Sequence, residues 1–201
     1  MRETGAEPAR RRNRRRVAPV TVLTVCIGNI CRSPLAEQLL RAKLPADRFE
    51  FGGAGLRTRD GIPMDQHSAE QSLLFGGDPR GARSTSLTDN HALAADLILV
   101  MTVELRDDLI RRHPRALRRT FTLAEFTQLL ELCQSYDGFP LDLSSPDTVR
   151  QAIEFASRMR SQLRLSDDDD VTDPVNASLE VHQAVAAQIS GYVDRIVAVL
   201  R

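Results

Sequence analysis

One junction constrains this chain more than any other feature. The apolar, largely β-branched run Val20-Thr21-Val22-Leu23-Thr24-Val25 passes directly into Cys26-Ile27-Gly28-Asn29-Ile30-Cys31-Arg32-Ser33-Pro34, and then into a leucine-rich helical pattern. A short run that is apolar on both faces is what a strand buried in a parallel sheet requires. From Pro34 to Leu44 the residues Leu35, Leu39, Leu40 and Leu44 fall on one side of a helix. Pro34 suits the first helical turn, where its missing N–H costs nothing. Strand, glycine-containing loop and helix together predict an α/β unit.

The rest of the chain repeats that alternation. Phe49-Glu50-Phe51 predicts a second strand ending in a Gly52-Gly53-Ala54-Gly55 turn, and Pro63 to Leu74 a helix stopped by Gly76-Gly77. Asp96 to Met101 reads as a third strand, Val103 to Arg112 as an amphipathic helix, and Arg119 to Thr122 as a short fourth strand. Helical patterns cover Ala124 to Cys133 and Asp147 to Leu165. After an acidic stretch, a last helix runs from Ala177 to Leu200, with Ser178 as an early cap and Val181, Val185, Ile189, Tyr192, Val193 and Ile196 inward. Strands alternating with helices predict a small doubly wound parallel sheet. The 201 residues, 42% of them hydrophobic, suffice for one domain over 19–201, with no repeat and no internal boundary.

Charge divides the chain unevenly. Residues 1–16 hold seven arginines against Glu3 and Glu7, a net +5, while the remaining 20 basic and 25 acidic side chains give −5. Residues 1–18 therefore read as a disordered basic tail, a solvated extension whose candidate contacts are nucleic acid or anionic lipid surfaces. No apolar run approaches the roughly 18–20 residues of a membrane helix, and no apolar stretch follows the basic residues as in a secretory signal. Three cysteines do not make a secreted disulfide framework, so the expected address is the reducing cytoplasm. The four histidines lack ligand-like spacing, and neither a metal nor a cofactor is expected.

Chemistry concentrates in the Cys26 loop. Between the carboxyl end of a parallel strand and a helix N-terminus, free backbone amides and the helix dipole converge on one spot, which makes a ready anion site. Gly28 permits a tight turn and close approach of a ligand, and Asn29 tolerates a left-handed conformation. Arg32 can grip two phosphate oxygens with its planar fork. Thiols beside such positive potential ionise more readily, and a thiolate facing a bound phosphate is a nucleophile.

Val25-Cys26-Ile27-Gly28-Asn29-Ile30-Cys31-Arg32-Ser33-Pro34 closely resembles the active-site loop of the low-molecular-weight protein tyrosine phosphatases. Asp173-Pro174 resembles the family's second signature, and Gly61 to Asp65 and Ala95 to Met101 are similar to further landmarks in the same order. The likeness spans about 19–200. It implies a four-stranded parallel sheet flanked by helices and a metal-free, two-step hydrolysis. By that resemblance Cys26 takes the phosphate as phosphocysteine. Arg32 and the loop residues Ile27, Gly28, Asn29, Ile30 and Cys31 hold its oxygens, and Ser33 supports the sulfur. Asp173 acts as general acid and then base. The implied partner is a phosphorylated protein, such as an autophosphorylated tyrosine kinase; oligomeric state is not legible.

Departures from the pattern set further expectations. Val175 stands where the family often has Tyr or Phe, and Leu56 to Asp60 lacks an aromatic, so the substrate groove should be less aromatic and more basic, with Arg57 and Arg59 at its rim. Gly53 and Gly81 replace a Ser and a His that usually support the loop, so Asn29 needs backbone or water partners. Asp167 to Asp170 is expected to be a solvated loop, although neighbouring carboxylates could hold the proton of Asp173 to higher pH. The segment 135–170 is additional, with three possible roles: covering the acid loop, mediating contacts, or adding bulk. Cys31 is either a redox partner for Cys26, as in relatives with this second cysteine, or a small packed side chain; Cys133 belongs to the core.

Two rivals share the loop. Arsenate reduction needs further thiols to pass on oxidising equivalents, and outside the loop there is only Cys133. Phosphoarginine phosphatases carry Thr where Ile30 stands, which favours an aryl phosphate here. A catalytically weak phosphate-binding regulatory protein, or an anion-binding module using the tail, are the non-enzymatic alternatives; the presence of Cys26, Arg32, Ser33 and Asp173 argues against them.

Overall fold

The sheet is built around the predicted first strand. In a computed structural model that describes residues 17–164, 166 and 169–201, β1 (Val20–Cys26) lies between β2 (Phe49–Gly55) and β3 (Leu97–Val100), with β4 (Thr120–Thr122) at the far edge. All pairings are parallel, in the order β2-β1-β3-β4. Right-handed crossovers from β1 leftward and from β3 rightward put α1 (Arg32–Lys43) and α4 (Val103–Arg112) on opposite faces. The strand order reverses at β1. The loop after Cys26 therefore leaves the carboxyl end of the sheet at its topological switch point, where α/β folds bind ligands.

Packing fixes that loop in place. Along α1 the side chains of Leu35, Ala36, Leu39 and Leu40 are buried, and each leucine contributes about 1.5–3 kcal/mol relative to exposure. The helix packs on α7 (Leu179–Leu200), which also contacts α2 (Gln66–Leu74) and α5 (Leu123–Cys133). The inward residues predicted for α7 are buried except Val181, which is partly covered, and His182 joins them. Among the described residues no helix is long and apolar enough to cross a membrane.

Several boundaries differ from the sequence reading, each for a local reason. Gly52 to Gly55 does not turn but continues β2, pairing with Leu23 to Cys26. α2 starts at Gln66 rather than Pro63, because Asp65 Oδ1 accepts from the Ser68 amide as N-cap and Pro63 bridges to Arg83 instead. A short helix, α3 (Asp89–Ala94), was not expected; its signal was a Thr88/His91 capping box. α6 (Pro146–Met159) tightens into a 3-10 turn, Arg160–Gln162, and does not run to Leu165, which lies outside the described residues. α7 begins at Leu179, and Ser178 in the cap position makes no side-chain cap.

α6 packs on α5, on β1 and on a 3-10 turn, Pro114–Arg119. Arg150 on α6 donates to the carbonyls of Ala18 and Pro19 and pairs with Asp96, which ties α6 to the amino ends of β1 and β3. Ala18, read as tail, is thus anchored; residues 1–16 lie outside the described residues.

Candidate active site

The loop is held by its carbonyls, which leaves its amides turned to other use. Cys26, Ile27 and Ile30 accept hydrogen bonds from the amides of Leu56, Arg57 and Asp65. Cys31 occupies the N-cap position of α1 without capping through its side chain, and no acidic residue sits in the first turn. The amides of that turn are therefore open to an external anion, with the helix dipole behind them. Asn29 adopts φ 52, the left-handed conformation expected of it.

Two donors converge on the Cys26 sulfur. The Asn29 amide reaches it at 3.2 Å, and the Ser33 hydroxyl lies 3.0 Å away. Asn29 Nδ2 donates to Ser33 Oγ at 2.9 Å, so the hydroxyl proton is free to point at sulfur. Thr24 Oγ1 donates to the Ser33 carbonyl at 2.9 Å from the floor of β1. Asn29 Oδ1 accepts from the Thr85 amide at 2.9 Å, the backbone partner that the absence of Ser and His at Gly53 and Gly81 required. A Cβ on Gly53 would stand 2.7 Å from Asn29 Nδ2, so the bare backbone there gives the asparagine its room. Thr85 carried no sequence signal; only the fold brings its amide here.

Arg32 and Asp173 meet across 141 residues of chain. Arg32, 3% exposed, pairs with Asp173 Oδ2 at 2.7 Å and donates to the Val171 carbonyl at 3.0 Å. Its Nε is buried without a partner among the described residues, a donor that an oxyanion could satisfy. The acid loop is itself pinned. Val171 donates to the Met101 carbonyl, and Asp170 Oδ1 accepts from the Val103 amide at 2.9 Å, adding an anion at the start of α4.

This corrects the reading of the acidic stretch as a solvated loop. Asp169 and Asp170 are half-buried; Asp169 Oδ1 accepts from Gln128 Nε2 at 2.9 Å, and its carbonyl from the Tyr192 hydroxyl at 3.4 Å. Free backbone amides at a helix start attract a nearby carboxylate, which a one-dimensional charge run does not reveal. Asp167 and Asp168 lie outside the described residues.

A cleft of about 320 Å³ opens beside the loop, lined by Ile27, Arg32 and Asp173 together with Thr102, Leu105 and Val171. Its rim also differs from expectation. Arg57 is there, but it pairs with Asp108 at 3.4 Å, and Glu104 and Asp170 add further carboxylates; Arg59 is not part of the lining. Burial pushes the Asp108 carboxyl up, but Arg112, Arg111 and Arg57 outweigh it and hold the group below the ordinary carboxylate range. Val175 is exposed, and its amide approaches Asp173 Oδ1 at 3.4 Å.

All three cysteines are free and buried. Burial pushes the Cys31 thiol up to about 12, against a lowering contact from Ser68, and burial pushes Cys133 up to about 11. Cys31 therefore stays protonated at neutral pH. Behind it, Ser68 Oγ meets buried His182 Nδ1 at 3.1 Å. Among the described residues no cluster of three or more His, Cys, Asp or Glu side chains is arranged to hold a metal.

Comparison with known proteins agrees with this geometry. The family model "Low molecular weight phosphotyrosine protein phosphatase" matches residues 21–164. A probable low molecular weight protein-tyrosine-phosphatase, EpsP, of Ralstonia nicotianae is 40% identical over 108 residues, 54% of this chain and 73% of that protein. Among solved structures, the YwlE arginine phosphatase of Geobacillus stearothermophilus superposes with TM-score 0.64 at 27% identity, over 90% of this chain and 92% of that one. The Erwinia amylovora tyrosine phosphatase AmsI superposes with TM-score 0.66 at 23% identity, over 92% and 95%, a likeness of fold.

Proposed function

The chain belongs to the low molecular weight phosphotyrosine protein phosphatase family, and on that premise we propose that it hydrolyses phosphotyrosine in a protein substrate through a phosphocysteine on Cys26. The carrying observation is the convergence of the Asn29 amide and the Ser33 hydroxyl on the Cys26 sulfur, at the mouth of an uncapped helix.

The steps follow from that placement. The sulfur attacks phosphorus in line with the leaving oxygen. Arg32 and the amides from Ile27 to Arg32 hold the three equatorial oxygens, so charge stabilisation by fixed dipoles is the main catalytic term. Asp173 gives its proton to the departing phenolic oxygen, then takes one from the water that attacks the phosphocysteine. Ser33 donates to sulfur again as the S–P bond breaks. Neither step calls for a metal or cofactor, and a reducing cytoplasm suits an enzyme that depends on free thiols.

A second reading, phosphoarginine as substrate, is favoured by the likeness to an arginine phosphatase over 90% of this chain. Exposed Ile27 in the wall of the cleft, an apolar surface suited to an aryl ring, favours phosphotyrosine, as does Ile30 in the loop where phosphoarginine phosphatases carry Thr. The test is p-nitrophenyl phosphate turnover without metal by wild type, Cys26→Ser and Asp173→Ala, followed by phosphotyrosine, phosphoserine and phosphoarginine peptides. Turnover surviving in Cys26→Ser would sink the mechanism, an inactive wild type would favour a phosphate-binding regulatory role, and preference for the phosphoarginine peptide would replace the substrate.

A further inference from the structure

We propose that the cleft between the 3-10 turn Pro114–Arg119 and α6 is a second anion site, which takes a molecule carrying two or more linked phosphates. The cleft measures about 820 Å³, within the roughly 300–1,000 Å³ of small-molecule sites. It lies at the opposite end of the strands from Cys26, since Asp96, just ahead of the amino end of β3, forms part of its wall.

Six arginines face it against two carboxylates. Two of the six have structural duties: Arg150 is engaged with Asp96 and the Ala18 and Pro19 carbonyls, and Arg160 with Glu125 and the Leu117 and Thr120 carbonyls. The other four, Arg115, Arg118, Arg119 and Arg158, have no acidic partner among the described residues. Arg119 Nε is in addition buried with no acceptor among the described residues. Arg158 is steadied by the Phe155 ring, 5.4 Å from its guanidinium carbon. Four unpaired cations around one hollow repel each other, and a buried N–H without an acceptor is costly; an anion spanning them relieves both.

The shape and the arginine chemistry choose the ligand. Planar forks bind phosphate oxygens in pairs, and one orthophosphate cannot reach forks distributed around a hollow of this size, whereas linked phosphates can. Leu117 and Ile153 give the wall an apolar part, suited to a nucleoside. A concave site of this kind suits a soluble ligand better than a flat lipid surface. Self-occupation by the N-terminal segment is opposed by like charge, because its seven arginines join the domain at Val17 and Ala18, beside Arg150.

The test is calorimetric titration of the full chain with inorganic triphosphate and with ATP, without divalent metal and at low salt. Arg32→Ala serves to remove anion binding at the Cys26 loop. One equivalent should still bind to Arg32→Ala, whatever the Cys26 loop adds in wild type. Affinity should fall at least tenfold in Arg115→Gln/Arg118→Gln/Arg158→Gln, whose turnover of p-nitrophenyl phosphate stays at the wild-type level. Arg118→Gln alone, with a loss of about threefold, serves if the triple variant does not fold. Equal affinities assign the site to free oligophosphate, and tighter ATP binding to nucleotides. The proposal is overturned by any of four results: absence of binding, binding lost in Arg32→Ala, binding indifferent to the three substitutions, or binding only to phosphatidylserine vesicles.

Discussion

Asp173 Oδ2 sits 2.7 Å from the Arg32 guanidinium, a carboxylate 38% exposed against an arginine that is 3% exposed. The pair joins the two signatures of the chain and makes them compete. A phosphate entering the loop needs Arg32, and a departing phenolate needs Asp173. Replacing the carboxylate should therefore separate binding from turnover. In Asp173→Asn we expect kcat for p-nitrophenyl phosphate to fall by about 10²-fold, the usual scale for losing a general acid. Inorganic phosphate should inhibit that variant at a severalfold lower concentration, because Arg32 no longer has to leave an anion. Steady-state kinetics with phosphate as competitive inhibitor reads both; weaker inhibition would contradict the competition.

Asn29 holds the loop in a left-handed turn while bridging Thr85 and Ser33. Asn29→Ala removes both bridges and leaves a non-glycine residue at positive φ. The expected cost is about 1–3 kcal/mol of stability and a 10–100-fold fall in kcat, with KM changed less. Thermal melts and initial rates check this. Unchanged kcat would mean that carbonyl anchoring alone shapes the loop.

Gly55 ends β2 directly under the loop. A Cβ there would lie 2.8 Å from the Ile27 carbonyl oxygen and 3.1 Å from the Gly28 carbonyl carbon, both backbone atoms that cannot swing aside. Gly55→Ala should destabilise by about 1–3 kcal/mol and depress turnover, whereas Gly61→Ala, with open space but φ 88, should cost stability through backbone strain alone and leave turnover intact. Denaturant melts and rates on both variants decide it.

Asp170 reaches back to the amide that starts α4 and so fixes the segment carrying Asp173. Asp170→Ala should cost about 0.5–2 kcal/mol and lower kcat, while Asp170→Asn, which keeps the acceptor oxygen, should recover most of both. Equal damage in the two variants would make the negative charge, rather than the hydrogen bond, the anchor.

The Asp108 carboxyl is held below the ordinary range beside Arg112, Arg111 and Arg57. A depressed folded-state pKa gives stability that is present above the unfolded value, about 3.9, and is lost as pH falls through the folded one. Asp108→Asn should thus lower stability at neutral pH and show less further loss on acidification below about pH 4. Melts across pH 2–7 show whether the two curves converge at the acid end.

Cys31, pushed up to about 12 by burial, stays a thiol at neutral pH. If it guards Cys26, it does so by condensing with a Cys26 sulfenic acid, forming the S–S bond and releasing water. Cys31→Ser should then leave the rate of peroxide inactivation unchanged and sharply reduce the activity that dithiothreitol restores. Full recovery in that variant would make Cys31 a packing residue.

Much of the fold was legible because it repeats: short apolar runs and leucine-spaced helices announce a parallel sheet wherever they alternate. α4 was placed to the residue, since its apolar period and the run before it agree. α3 was missed because six residues carry no period, only a cap. Gly52 to Gly55 was misread because glycines signal turns locally, while here they make room for Asn29 and for the backbone of the loop. The acidic stretch was misread because charge alone cannot say which carboxylate finds a helix end.

The sequence by itself determined the Cys26 loop, its strand, its helix and the presence of an aspartate near the far end, because these depend on local conformational preference and on side-chain chemistry. Only the tertiary structure decided that Asp173 faces Arg32, that Thr85 supports Asn29, that the cleft at the loop is acidic, and that four arginines without acidic partners among the described residues share a hollow at the other end of the strands. Those relations join segments tens of residues apart, and local preference carries no information across such a span; packing of the helices on the sheet supplies it.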